Sequence, residues 1–275
     1  VKVDENGNKI GYQFQNDSAL WTAMYAWSQY THYKLNGDRF AYENFKRAIQ
    51  GLVNLMKITN DPKIFARFIV KSPVTENLGQ ELLQGTGEFA DYKYRPRSNN
   101  DMTKGLLIGY LLAYDGLEAQ DQELRAQVSA NVARLTKVKA VQDSDGNLGS
   151  ANGLKALWLG EKKSFEKFIE SATSFKTIIG HKLHTSSGFY LGGIEDASGI
   201  HLTTVSSALQ YMIAARLEND SRYMSDKNRI TKARKEAKSV MLEMTKRMEK
   251  AHHDYLNIMI YAITRNSELK AKALA

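Results

Sequence analysis

Apolar residues recur along most of this chain at helical spacing. In residues 16–35, "NDSALWTAMYAWSQYTHYKL", Leu20, Trp21, Met24, Tyr25, Trp27 and Tyr30 fall at three- and four-residue intervals, and Asn16 or Asp17 can cap the start. "NGD" at 36–38 stops that helix. A second, about 38–58, carries Phe45, Ile49, Leu52, Val53 and Met56 on one face and ends at "TNDP". The two form a helical hairpin, and the pattern returns. Helices are predicted over 101–118 and 121–139, as a shorter pair within 153–180, over 199–217 and 226–250, with one more opening at 252. "QDSDGN" closes the helix before it, and "DSDGN" reads as a turn, since it lacks the remaining ligands and terminal Glu of a calcium loop.

The members of each hairpin differ in a consistent way. "LWTAMYAW", "GLLIGYLLAY", "TTVSSALQYMIAA" and "YLNIMIYAI" are apolar or small nearly all round, whereas the second helices have charged faces. A helix apolar on every side is expected to be buried, with its amphipathic neighbour covering it from outside. Repetition of that pairing predicts an all-α fold, an (α/α) toroid of four to five hairpins, as a single domain over 1–275. Residues 1–14 read as extended, with "ENGNK" as a turn. The spans 71–97, 139–152 and 181–198 read as helix-free, and long loops of this kind tend to carry function. All three prolines, Pro62, Pro73 and Pro96, lie between 62 and 96.

Composition narrows the picture modestly. With 275 residues, 43% hydrophobic and 25% charged, the chain has the make-up of a globular protein. No apolar stretch approaches the roughly 20 residues needed to cross a bilayer. The absence of cysteine excludes disulfides, thiolate metal sites and a cysteine nucleophile, and it suits an exported protein as well as an intracellular one. Much of the net charge of +8 sits in residues 222–250, with ten Lys/Arg against four Asp/Glu. A charge run on a helix is usually a solvated face, so nucleic acid is not the expected partner. No Walker, Rossmann or HExxH pattern occurs, and neither a cofactor nor a metal is expected.

A resemblance becomes usable here. "NDSALWTAMYAWSQYTHYKLNGDRFAYENFKRAIQGLVNLMKITNDPKIFARF" resembles the opening hairpin of the six-hairpin-glycosidase-like α/α-toroid proteins, with an acid or amide before "LWT", a "GD" between helices and a "GL..L...T..P...AR" tail. "SNNDMTKGLLIGYLLAYDGL" is similar to a later helix of the same superfamily. The likeness covers residues 14–118, and the remainder shares only the hairpin pattern. That superfamily includes glycoside hydrolases, polysaccharide lyases and uronyl epimerases. The resemblance therefore implies an oligo- or polysaccharide as partner.

Inner helices of a toroid run roughly parallel, so their N-terminal ends collect at one mouth. Asp17, Asp101, His201 and Asp254 each fall in a first turn, where an acid also serves as a cap. Sugar hydrolysis needs two carboxyl groups roughly 5 to 9.5 Å apart. Asp17, Glu88 and Asp101 are the available combination, with Asp101 the best single acid and Glu88 its best partner. A lyase instead needs a base for the proton alpha to a uronate carboxylate and a cation or amide beside that carboxylate. "DYKYRPRSNNDM" (91–102) offers Tyr92, Tyr94, Arg95, Arg97, Asn99 and Asn100, and His184, His201, His252 and His253 are further bases. Trp21 and Tyr190 add ring faces for sugars, and Glu195 or Asp196 an acid on the 181–201 loop. The function expected is thus a hydrolase or lyase acting on an acidic glycan. The alternative is a non-catalytic helical binding or scaffold protein.

Overall fold

The computed structural model of the chain describes residues 2–3, 5–6, 9–11, 17–72, 81–174 and 197–248, and most of them are helical. The chain divides into two compact units, 1–142 and 143–275.

The first unit opens with a two-stranded antiparallel ribbon, β1 (Lys2–Val3) and β2 (Lys9–Gly11), as the extended pattern predicted. Helices α1 (Ser18–Asn36) and α2 (Arg39–Lys57) form the first hairpin. Gly37 terminates α1 at φ 70°, a conformation open to glycine at little cost, and its N–H donates to Tyr33 O. Asp38 then caps α2 by accepting from Phe40 N at 2.9 Å. Three short strands follow, β3 (Phe68–Lys71), β4 (Leu83–Gln84) and β5 (Tyr92–Arg95), in the antiparallel order β3-β5-β4. Helices α3 (Asn100–Gly116), α4 (Gln122–Arg134) and α5 (Lys139–Gln142) complete the unit.

Two expectations are corrected here. Residues 92–95 are the central strand of a sheet rather than loop, because Tyr92-Lys93-Tyr94-Arg95 alternates ring and cation at the period of two that a strand requires. The span 139–152 is largely helical. Ser144 caps α6 (Asp145–Leu159) by accepting from Asn147 N, so "DGN" forms the first turn of a helix.

Glycines set how α1 and α3 pack. A Cβ on Gly105 would come within 2.4 Å of the Ala19 backbone, and one on Gly116 within 2.8 Å of the Tyr30 and Phe45 rings. Start meets start and end meets end, so the two helices run parallel at very close approach. Helix α3 is buried nearly throughout, from Met102 to Ala113, as its apolar run predicts. Helix α1 is not. It buries only the small seam Ala19, Leu20, Ala23 and Ala26 and leaves Trp21 and Tyr25 about half exposed. A seam of alanines permits close approach, and the bulky rings are then left outside it.

The second unit holds α6, α7 (Lys162–Thr173), α8 (Ala197–Leu217) and α9 (Lys227–Met248). Gly149 and Gly153 of α6 face Gln210 and Ile213 of α8 in the same order, so these two also run parallel. Phe165 stacks on Tyr223 with centroids 4.4 Å apart. Arg229 of the basic helix binds Glu166 at 2.6 Å and Asp226 at 2.9 Å, and Arg234 pairs with Glu218. Part of the basicity of 222–250 is thus engaged within the protein. Among the described residues no helix is long and apolar enough to cross a membrane.

Candidate functional site

The parallel starts of α1 and α3 gather acids, cations and amides in the first unit. Asn99 joins them. Its Oδ1 caps α3 by accepting from Met102 N at 2.9 Å, and its Nδ2 donates to Asp17 Oδ1 at 3.2 Å. The sheet is fastened to the same place: Arg67 N donates to Arg95 O at 2.8 Å, and Ser18 Oγ donates to Arg67 O at 2.6 Å. These bonds hold Arg67 at the start of α1, where its guanidinium lies 3.9 Å from Asp17 Oδ1. Arg95 is near enough to Arg67 to feel its charge. Partial burial, and then that repulsion, hold its pKa below the usual arginine range.

On α3, Lys104 reaches back along the helix. Its Nζ lies 3.6 Å from Asp101 Oδ1 and 3.4 Å from Asn100 O. The lysine is 6% exposed, and burial pushes its pKa below the ordinary lysine range against the attraction of Asp101. Asp17, Trp21 and Tyr25 are spaced four residues apart and so follow one face of α1, with the two rings exposed. The site therefore offers two guanidiniums, a buried amine, two carboxylates and a pair of exposed rings.

Of the residues expected at a mouth, Asp17, Asn100 and Asp101 come together at the helix starts, and the backbone bond to Arg67 brings Arg95 there too. Trp21 stands one turn further along α1. Glu88 does not join Asp101. It pairs with Lys57 at 2.8 Å and, with Tyr92, lines a cavity beside α2. The reason is the strand: β5 carries Tyr92 to its far end, three residues from Arg95. Tyr94 is 7% exposed and presents no open ring face. Arg97 is exposed at φ 70°, a strained conformation for a residue with a side chain. Tyr190, His184, Glu195, Asp196, His252, His253 and Asp254 lie outside the described residues, as does the side chain of His201.

Two residues of the site escaped the sequence reading. Lys104 is the lone charge inside the apolar run "MTKGLLIGYLLAY", which was its visible signal. Arg67 sits in "FARF", and only the pairing of Arg67 with Arg95 shows that it turns toward Asp17. Among the described residues no group of three or more His, Asp or Glu side chains is placed to hold a metal ion. No family model, curated protein or solved structure matches the chain.

Proposed function

We propose that this chain is a carbohydrate-active protein that acts on an acidic glycan at the shared starts of α1 and α3. One observation carries the reading: Arg67 and Arg95 lie close enough to feel each other's charge, with Arg67 beside Asp17 at the start of α1, while Lys104 is buried near the start of α3 and Trp21 and Tyr25 are exposed along α1. A guanidinium pair suits the carboxylate of a uronic acid through planar, charge-assisted hydrogen bonds. Ring faces one and two turns along α1 suit the sugars that follow.

The arrangement favours elimination. Neutralising the uronate carboxylate acidifies the adjacent carbon, and an amine whose charged form is disfavoured by burial is suited to taking that proton. The electron pair of the C–H bond becomes the new double bond. The bond from the next carbon to the glycosidic oxygen breaks, and that oxygen takes a proton from water. Asp101 holds Lys104 in place through their ion pair. Hydrolysis by Asp17 and Asp101 is the competing chemistry. Simple binding is the competing class, favoured by the cation that stands beside each of these acids.

A panel of neutral and uronate-containing polysaccharides separates the three. Unsaturated product absorbance supports elimination, reducing ends without absorbance support hydrolysis, and binding without turnover supports the scaffold reading. Silence and no binding on every glycan would remove the proposal.

A further inference from the structure

A groove between α2 and α4 lies apart from the helix starts. It consists of two open depressions of about 390 and 370 Å³ that share Gln50, Glu123 and Gln127. Along α2 it runs from Lys46 to Lys57, roughly 16 Å at the helical rise. A chain of side-chain amides lines it. Gln50 Nε2 donates to Asn54 Oδ1 and to Gln127 Oε1, both at 2.9 Å, and Gln127 Nε2 donates to Glu123 Oε1 at 3.1 Å. The half-buried ring of Tyr92 closes one end, standing edge-on to Phe89 with centroids 6.2 Å apart.

The lining is balanced in charge. Lys46, Arg47 and Lys57 stand against Glu88, Asp121 and Glu123, with Lys46 paired to Asp121 and Lys57 to Glu88. An anion would be met by carboxylates and a cation by ammonium groups. A neutral ligand whose groups both donate and accept meets neither penalty. The amides supply the matching chemistry: among the described residues, Asn54 Nδ2 and the second Gln127 N–H are donors still to be used, and Gln50 Oε1 is an open acceptor. A hydroxyl both donates and accepts, so a row of such groups fits a row of sugar hydroxyls. Tyr92 offers a ring for one pyranose face.

We infer that the α2–α4 groove binds a neutral, hydroxyl-rich oligosaccharide, at a site separate from the helix starts. The inference stands on the groove itself and not on the acidic-glycan reading, so each can fail alone.

The test is a titration of the full chain with cellohexaose, maltohexaose and xylohexaose, followed by side-chain amide NMR and calorimetry. At least one should bind with a Kd between about 1 μM and 1 mM, a range ordinary for small ligands. The amide signals of Gln50, Asn54 and Gln127 should move. Binding should persist when salt is raised about tenfold, since no net charge is involved. Gln127→Leu and Asn54→Leu should each weaken it at least about tenfold with unchanged circular dichroism, and Asp101→Asn should leave it intact. Three results would overturn the inference: no binding by any of the three, binding indifferent to the groove variants, or a groove that binds a charged peptide in preference. Groove binding by a wild-type chain that turns over no uronate glycan would count against the acidic-glycan reading alone.

Discussion

Lys104 illustrates how one residue can work against the stability of its own helix. A buried amine disfavours its charged form, and among the described residues Asp101 and the Asn100 carbonyl face it. Its pKa is lowered in the folded chain, so the unfolded chain holds more protons between that lowered value and the ordinary 10.5. Stability therefore rises with pH through this window, and the full cost is present below it. Lys104→Met is expected to raise the melting temperature at pH 7, with the gain shrinking as pH approaches 10.5. The same variant is expected to lose turnover. Thermal melts across pH, beside an activity assay, check both parts, and a gain independent of pH would show that the charge is not the cause.

Tyr42 is the opposite case. It is fully buried, donates to Asp121 Oδ2 and accepts from Glu118 N at 2.9 Å. Burial alone would raise the Asp121 pKa, but the bonds from Tyr42 and Lys46 outweigh it, and the net direction is down. Burial and the bond to Asp121 push Tyr42 itself above the ordinary tyrosine range. A carboxylate with a depressed pKa contributes stability above its unfolded value, and that contribution is lost as pH falls through the folded one. Tyr42→Phe should cost about 1–2 kcal/mol at neutral pH, the range for a lost buried hydrogen bond. It should also move the onset of acid unfolding to higher pH, which an acid titration by circular dichroism reads directly.

At the scale of elements, the α1–α3 contact depends on an absent side chain. Gly→Ala inside a helix ordinarily gains about 1 kcal/mol from propensity alone. At Gly105 the new methyl would lie 2.4 Å from backbone atoms of Ala19, which cannot rotate away as a side chain can. Overpacking of this kind costs about 1–3 kcal/mol, and Gly105→Ala is expected to be destabilising on balance. Urea unfolding gives the sign, and a neutral or stabilising result would mean that the two helices can part. The helices themselves were legible in the sequence because their period and caps are local. The sheet was not, because the pairing of β5 with β3 joins residues some 25 apart and four residues of alternation carry little signal. The exposure of Trp21 and Tyr25 was hidden for a related reason: composition alone does not tell which apolar face meets a neighbour.

At the scale of the whole molecule, each unit repeats one device: two helices side by side and parallel, with small residues between them. In the first unit that device brings Asp17 and Asp101 to a common end. The cations came from elsewhere. Arg67 arrives through a strand pairing, and Lys104 through its own burial, so sequence position alone could not assign either. The absorbance of unsaturated product from a uronate polysaccharide, followed for the wild-type chain and for Arg67→Gln and Lys104→Met, tests the acidic-glycan reading most directly. Turnover by the wild type, lost at least about a hundredfold in both folded variants, is the predicted result. Turnover undiminished by either substitution, or none from the wild type on any uronate substrate, would contradict it.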